Sequence, residues 1–153
     1  MDMLSNTVFY AMLMLIAGIG IPIMGALSGG LGRRLQSPGS AVTIVFFVGC
    51  VISLVYLFFV EGLPDSFPAE PVPIQYYLAG VFIVLYMFSI TFVGPKFGIG
   101  NAICFVLLGQ LISMSVIDHF GLMGSLLYPI SMQRIIGLVL MSAGVFLVVK
   151  RFE

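Results

Sequence analysis

Residues 41–60 read AVTIVFFVGCVISLVYLFFV, an apolar run without a single charge. A helix rises about 1.5 Å per residue, so about 20 residues of this kind cross the roughly 30 Å hydrocarbon core of a bilayer. Arg33 and Arg34 precede the run and Glu61 follows it, as expected of charges held at the two membrane faces.

Outward from this run the same punctuation continues. Uncharged stretches cover 3–32, 35–60, 71–95, 97–117, 120–133 and 135–149. The first four are each long enough to span, which predicts helices near 5–28, 40–60, 75–95 and 100–117. Residues 135–149 alone are short, so a fifth helix is expected near 131–150, carrying Arg134 in its first turn, where the long side chain can snorkel to the interface. Residues 120–130 (FGLMGSLLYPI) then form an apolar loop at the membrane surface. The fold class is an all-α integral membrane protein of about five transmembrane helices, one transmembrane domain over 1–153.

Composition agrees. The chain is 61% hydrophobic and 8% charged, against about 25% charged in soluble domains. Its mean hydropathy is +1.22, so its solvent is the lipid bilayer. Six basic and six acidic residues cancel, leaving no polybasic face for nucleic acid. Cys50 and Cys104 lie inside apolar runs and read as small buried hydrophobes. No P-loop or zinc-type His/Cys spacing occurs and there is one histidine, so neither an enzyme nor a metal or other cofactor is expected. The N-terminal run opens with Asp2 and is too long for a signal h-region, so it reads as a retained helix.

Arg33, Arg34, Lys96, Lys150 and Arg151 fall on one side of a five-span chain, and only Arg134 falls on the other, with Asp2, Glu61, Asp65, Glu70 and Asp118. The positive-inside rule then predicts the N-terminus outside and the C-terminus cytoplasmic. Glu61–Gln75 (EGLPDSFPAEPVPIQ) holds four of the eight prolines and three acids, and reads as an external linker, with the loop proper over 61–74.

The first helix is rich in glycine. Gly25 and Gly29 stand four apart, which favours close helix packing in lipid, and Pro22 lies in mid-span. Gly18, Pro22, Gly25 and Gly29 therefore read either as a hinge lining a cavity or as static packing. Gly94–Gly98 (GPKFG) reads as the turn between helices three and four. No ionisable residue lies at mid-membrane depth. Gln110, central in helix four, must hydrogen-bond either another helix or a substrate. Ser113 lies on a similar face, Asn101 reads as a helix cap, and Ser28 and Tyr86 complete the candidate pathway. Asp118 and Arg134 face each other across a short loop, with His119 beside them, as a clamp between helices or as a gate.

The segments GPKFGIGNAICFVLLGQLISMSVIDHFGLMG and PISMQRIIGLVLMSAGVFLVV, with IPIMGALSGGLGRRLQSP in the first half, resemble the YdcZ family, a five-helix branch of the drug/metabolite transporter superfamily. The resemblance implies an exporter of a small molecule in a bacterial inner membrane. It also implies half of an antiparallel ten-helix bundle, paired with itself or with an oppositely oriented homologue. The positions carried over are Gly98, Gln110, Asp118, His119, Gly121, Arg134 and Gly137. Similar proteins often carry Gln and Asn in the first helix where this chain has Met24 and Ser28, which leans toward a more apolar substrate. The one-sided charge favours a homologous, oppositely inserted partner over a homodimer. The competing class is a non-transporting scaffold or accessory subunit; a passive pore would need a polar ring that the sequence lacks.

Overall fold

A computed structural model describes residues 2–62 and 71–149, with side chains from residue 7 onward. Asp65, Glu70, Lys150, Arg151 and the side chain of Asp2, which enter the charge count, lie outside the described residues. Five helices are long and apolar enough to cross a membrane, and no strand occurs among the described residues. They are α1 (Asp2–Arg34), α2 (Pro38–Tyr56), α3 (Ala79–Phe97), α4 (Ile99–Phe120) and α5 (Met132–Val149). A π-helical turn, Leu57–Glu61, extends α2, and a 3-10 turn, Ile74–Leu78, leads into α3.

Helix α1 continues past residue 28, through Gly29, Gly30 and Gly32, to Arg34. Glycine weakens a helix in water, but in lipid each backbone group must be satisfied within the segment, so the helix persists. A Schellman turn ends it: the Ser37 amide donates to the Gly32 carbonyl at 3.1 Å and the Gln36 amide to Arg33 at 3.3 Å. Gln36 sits at φ +53, a place glycine usually fills. Ser37 then caps α2 by accepting from the Ser40 amide at 3.2 Å, and Pro38 opens the helix. Gln36→Gly should stabilise the chain by about 1 kcal/mol by removing left-handed strain, read as a raised unfolding midpoint in detergent.

The chain divides into two compact units, Met1–Lys96 and Phe97–Glu153. In the first, the buried face of α1 is Gly25, Ser28, Gly29 and Gly32, and that of α3 is Met87, Ile90, Thr91 and Gly94. Both sets follow the i, i+3, i+4, i+7 pattern of one helix face. A Cβ on Gly29 would stand 3.0 Å from Pro95 Cγ, and one on Gly32 3.1 Å from Thr91 Cγ2, so backbone meets side chain directly. Ala41 and Val42 of α2, 0% and 1% exposed, complete this core. Among the described residues, nothing lies within 4 Å of a notional Cβ at Gly18.

Helix α3 also runs on through Gly94 and Pro95 to Phe97, and only Gly98, at φ +91, leaves the helix. The expected turn at Gly94–Gly98 thus shrinks to one residue. Pro95 removes the hydrogen bond to the Thr91 carbonyl, and the glycine face of α1 covers that carbonyl, 3.8 Å from a Cβ on Gly29. Gly98, not Asn101, is the N-cap of α4; the Asn101 amide donates instead to the Phe97 carbonyl at 3.0 Å.

Most large apolar side chains are bare in the single chain, Phe59 at 85% and Leu147 at 74% among them. Lipid requires no burial of such groups. Cys50 is exposed and Cys104 half-buried, which corrects the expectation that both are buried; apolar neighbours in sequence mean lipid-compatible, not interior.

Candidate functional site

The candidate residues fall into three local settings. In the first unit, Ser28 is buried, donates to the Gly25 carbonyl at 3.2 Å and accepts from Thr91 Oγ1 at 3.1 Å. It therefore lies in the α1–α3 contact. Gly25 and Gly29 flank it in the same face, while Pro22 is half-buried. Tyr86 of α3 differs: its hydroxyl is buried and has no hydrogen-bond partner among the described residues. A buried phenol in that state is an unsatisfied polar group, which is costly to leave so.

On α4, Gln110 and Ser113 are both exposed, one turn apart. Serine and threonine hydroxyls on α2, α3 and α5 are engaged. Thr43, Ser53, Ser89 and Ser142 back-bond to carbonyls within their own helices, Ser40 bonds Ser37, and Thr91 bonds Ser28. Ser115, on the buried side of α4, likewise donates to Leu111 at 2.7 Å. Gln110 and Ser113 make no hydrogen bond among the described residues. An amide and a hydroxyl left bare at mid-helix would be costly against hydrocarbon.

The third setting is the α4–α5 end of the second unit. Arg134 Nη2 and Asp118 Oδ2 form an ion pair at 2.7 Å, both side chains being partly exposed. Asp118 Oδ1 also accepts from Ser125 Oγ at 3.0 Å, and its carbonyl accepts from the Tyr128 amide at 2.8 Å. His119 Nδ1 accepts from the Ile130 amide at 3.1 Å, with Phe120 edge-on at 4.7 Å. That acceptor must be unprotonated, so the neutral ring carries its proton on Nε2. Ser131 caps α5 by accepting from the Arg134 amide at 3.3 Å. Asp118 and His119 thus tether the 121–131 loop through its backbone as well as through Arg134.

Sequence reasoning passed over Thr91, Ser125 and the Ile130 amide. Thr91 carried a usable signal, its place in the Met87–Ile90–Thr91–Gly94 face; a backbone donor such as Ile130 carries none.

A family model described as "Putative inner membrane exporter, YdcZ" matches residues 9–147. The chain belongs to the YdcZ family. With five apolar helices, this YdcZ chain is a multi-pass inner-membrane protein of transporter type. No curated protein and no solved structure matches it significantly. The YdcZ match contains all three settings, from the α1 glycine face to Arg134.

Proposed function

We propose that this YdcZ chain exports a small molecule across the inner membrane as one half of a two-subunit, ten-helix unit working by alternating access. The main support is the bare Gln110–Ser113 pair at the middle of α4. In a paired assembly that face would border a partner subunit or a substrate cavity, either of which supplies the hydrogen bonds that lipid cannot. The unpartnered Tyr86 hydroxyl adds a second polar group of the same kind. With no carboxylate at mid-depth and Met24 and Ser28 on α1, an apolar substrate with one or two hydrogen-bonding groups suits such a site best. Pro22 would let the outer half of α1 rock, while the packed half from Gly25 to Gly32 stays fixed.

The test is resistance of cells overproducing the chain to a panel of apolar toxic small molecules, followed by flux in proteoliposomes for each hit. Gln110→Leu should abolish flux while expression and dimerisation persist. Flux retained in that variant removes Gln110 from the site. No flux from the unaltered protein, together with a dry and fully packed subunit interface, would leave the scaffold reading instead.

The orientation proposed is N-terminus outside and C-terminus cytoplasmic, on the balance of Lys and Arg. Single cysteines at positions 65 and 153, in a chain with Cys50 and Cys104 replaced, should give labelling by a membrane-impermeant thiol reagent at 65 only. The partner would then be an oppositely inserted homologue. Labelling at both positions would make the antiparallel homodimer the unit to reconstitute.

A further inference from the structure

At one end of the first unit, the last turn of α1, the first turn of α2 and the last turn of α3 enclose an open-sided cavity of about 360 Å³. Arg33 and Lys96 line it beside Pro38, Phe92 and Pro95. Neither cation forms a salt bridge among the described residues, and no acid occurs anywhere in 3–60 or 71–117 to neutralise them locally. Lys96 Nζ instead rests 3.6 Å from the centroid of the Phe92 ring, which holds the ammonium against the cavity wall.

We propose that this cavity binds the phosphate headgroup of an acidic phospholipid. Two positive charges at the ends of membrane-spanning helices lie at headgroup depth, where such an anion is found. The walls separate a lipid from a free aqueous anion. Pro38 and Pro95 have no amide hydrogen, and the Thr91 hydroxyl already donates to Ser28. Beyond the Arg33 and Lys96 head groups, which supply both the charge and the N–H donors, the cavity therefore offers mainly apolar surface. A free phosphate would use the two cationic head groups alone and leave the apolar walls unmatched. A phosphodiester with glycerol and acyl carbons attached would find both of the contacts it needs, and the volume lies within the usual range for small-molecule sites.

The test is native mass spectrometry of the purified full chain, released from vesicles of phosphatidylcholine with one-fifth phosphatidylglycerol. The unaltered protein should retain phosphatidylglycerol over phosphatidylcholine, and Arg33→Gln with Lys96→Gln should lower that preference roughly tenfold. Arg34→Gln, next to the cavity but not lining it, should leave the preference nearly intact. Circular dichroism checks the fold; should the double variant not fold, each single variant should show about a threefold loss. An unchanged preference in Arg33→Gln/Lys96→Gln, or an equal loss in Arg34→Gln, overturns the site. Displacement of the lipid by millimolar inorganic phosphate overturns the lipid in favour of a free anion.

Discussion

Gly29→Leu should destabilise the folded chain by about 3 kcal/mol, the upper end for overpacking a well-packed contact. Even a Cβ at this position would stand 3.0 Å from Pro95 Cγ and 3.3 Å from Cδ, both in a ring that cannot rotate away. A leucine would push α1 off α3, break the Ser28–Thr91 hydrogen bond and uncover the Thr91 carbonyl. Gly18→Ala makes the contrast. With nothing within 4 Å of that Cβ, the change should follow helix propensity alone and stabilise by up to about 1 kcal/mol. Unfolding of both variants in mixed micelles, followed by circular dichroism, reads the two signs directly. Equal effects at the two glycines would mean that the α1–α3 contact carries no weight in the folded protein.

The other large effect is expected at the α4–α5 end, and its order matters more than its size. Arg134→Leu leaves the Asp118 carboxylate with only Ser125 as a side-chain partner at the membrane boundary. Asp118→Asn removes the charge but keeps an oxygen that can accept from the guanidinium. A carboxylate without its cation is harder to accommodate at the membrane boundary than a neutral amide in its place. The double variant should therefore be more stable than Arg134→Leu alone, with His119 and the loop amides still in place. A double-mutant cycle on unfolding midpoints measures this coupling, and strict additivity would show that the pair contributes nothing.

The five spans were legible because charge is so costly in hydrocarbon that it marks each end. Asp118 with Arg134 was legible for the same reason, as opposite charges brought close by a short loop. The end of α1 was not. Gly29, Gly30 and Gly32 look like a stop in any scale based on water, whereas the observed stop depends on a left-handed Gln36, which sequence does not advertise. Choosing among the small residues of α1 was also beyond periodicity. Gly18 and Gly25 are as plausible a face as Gly25 and Gly32, and only the partner surface on α3 decides. At the candidate site, the pattern identified Gln110 and Ser113 but could not say whether they were engaged. Satisfaction of a polar group depends on which helix lies opposite, and pattern does not encode neighbours.

The two-helix turn at Arg33–Pro38 has a consequence for synthesis. Its hydrogen bonds all link residues close in sequence, so α1 and α2 can close into a hairpin while the rest of the chain is still being made. Arg33 and Arg34 travel with the bend. Once the hairpin is seated, turning it over would drag both guanidiniums through hydrocarbon, at about 3 kcal/mol each on insertion scales. The bend is thus the part of this hairpin least disposed to change sides once it has reached a membrane face.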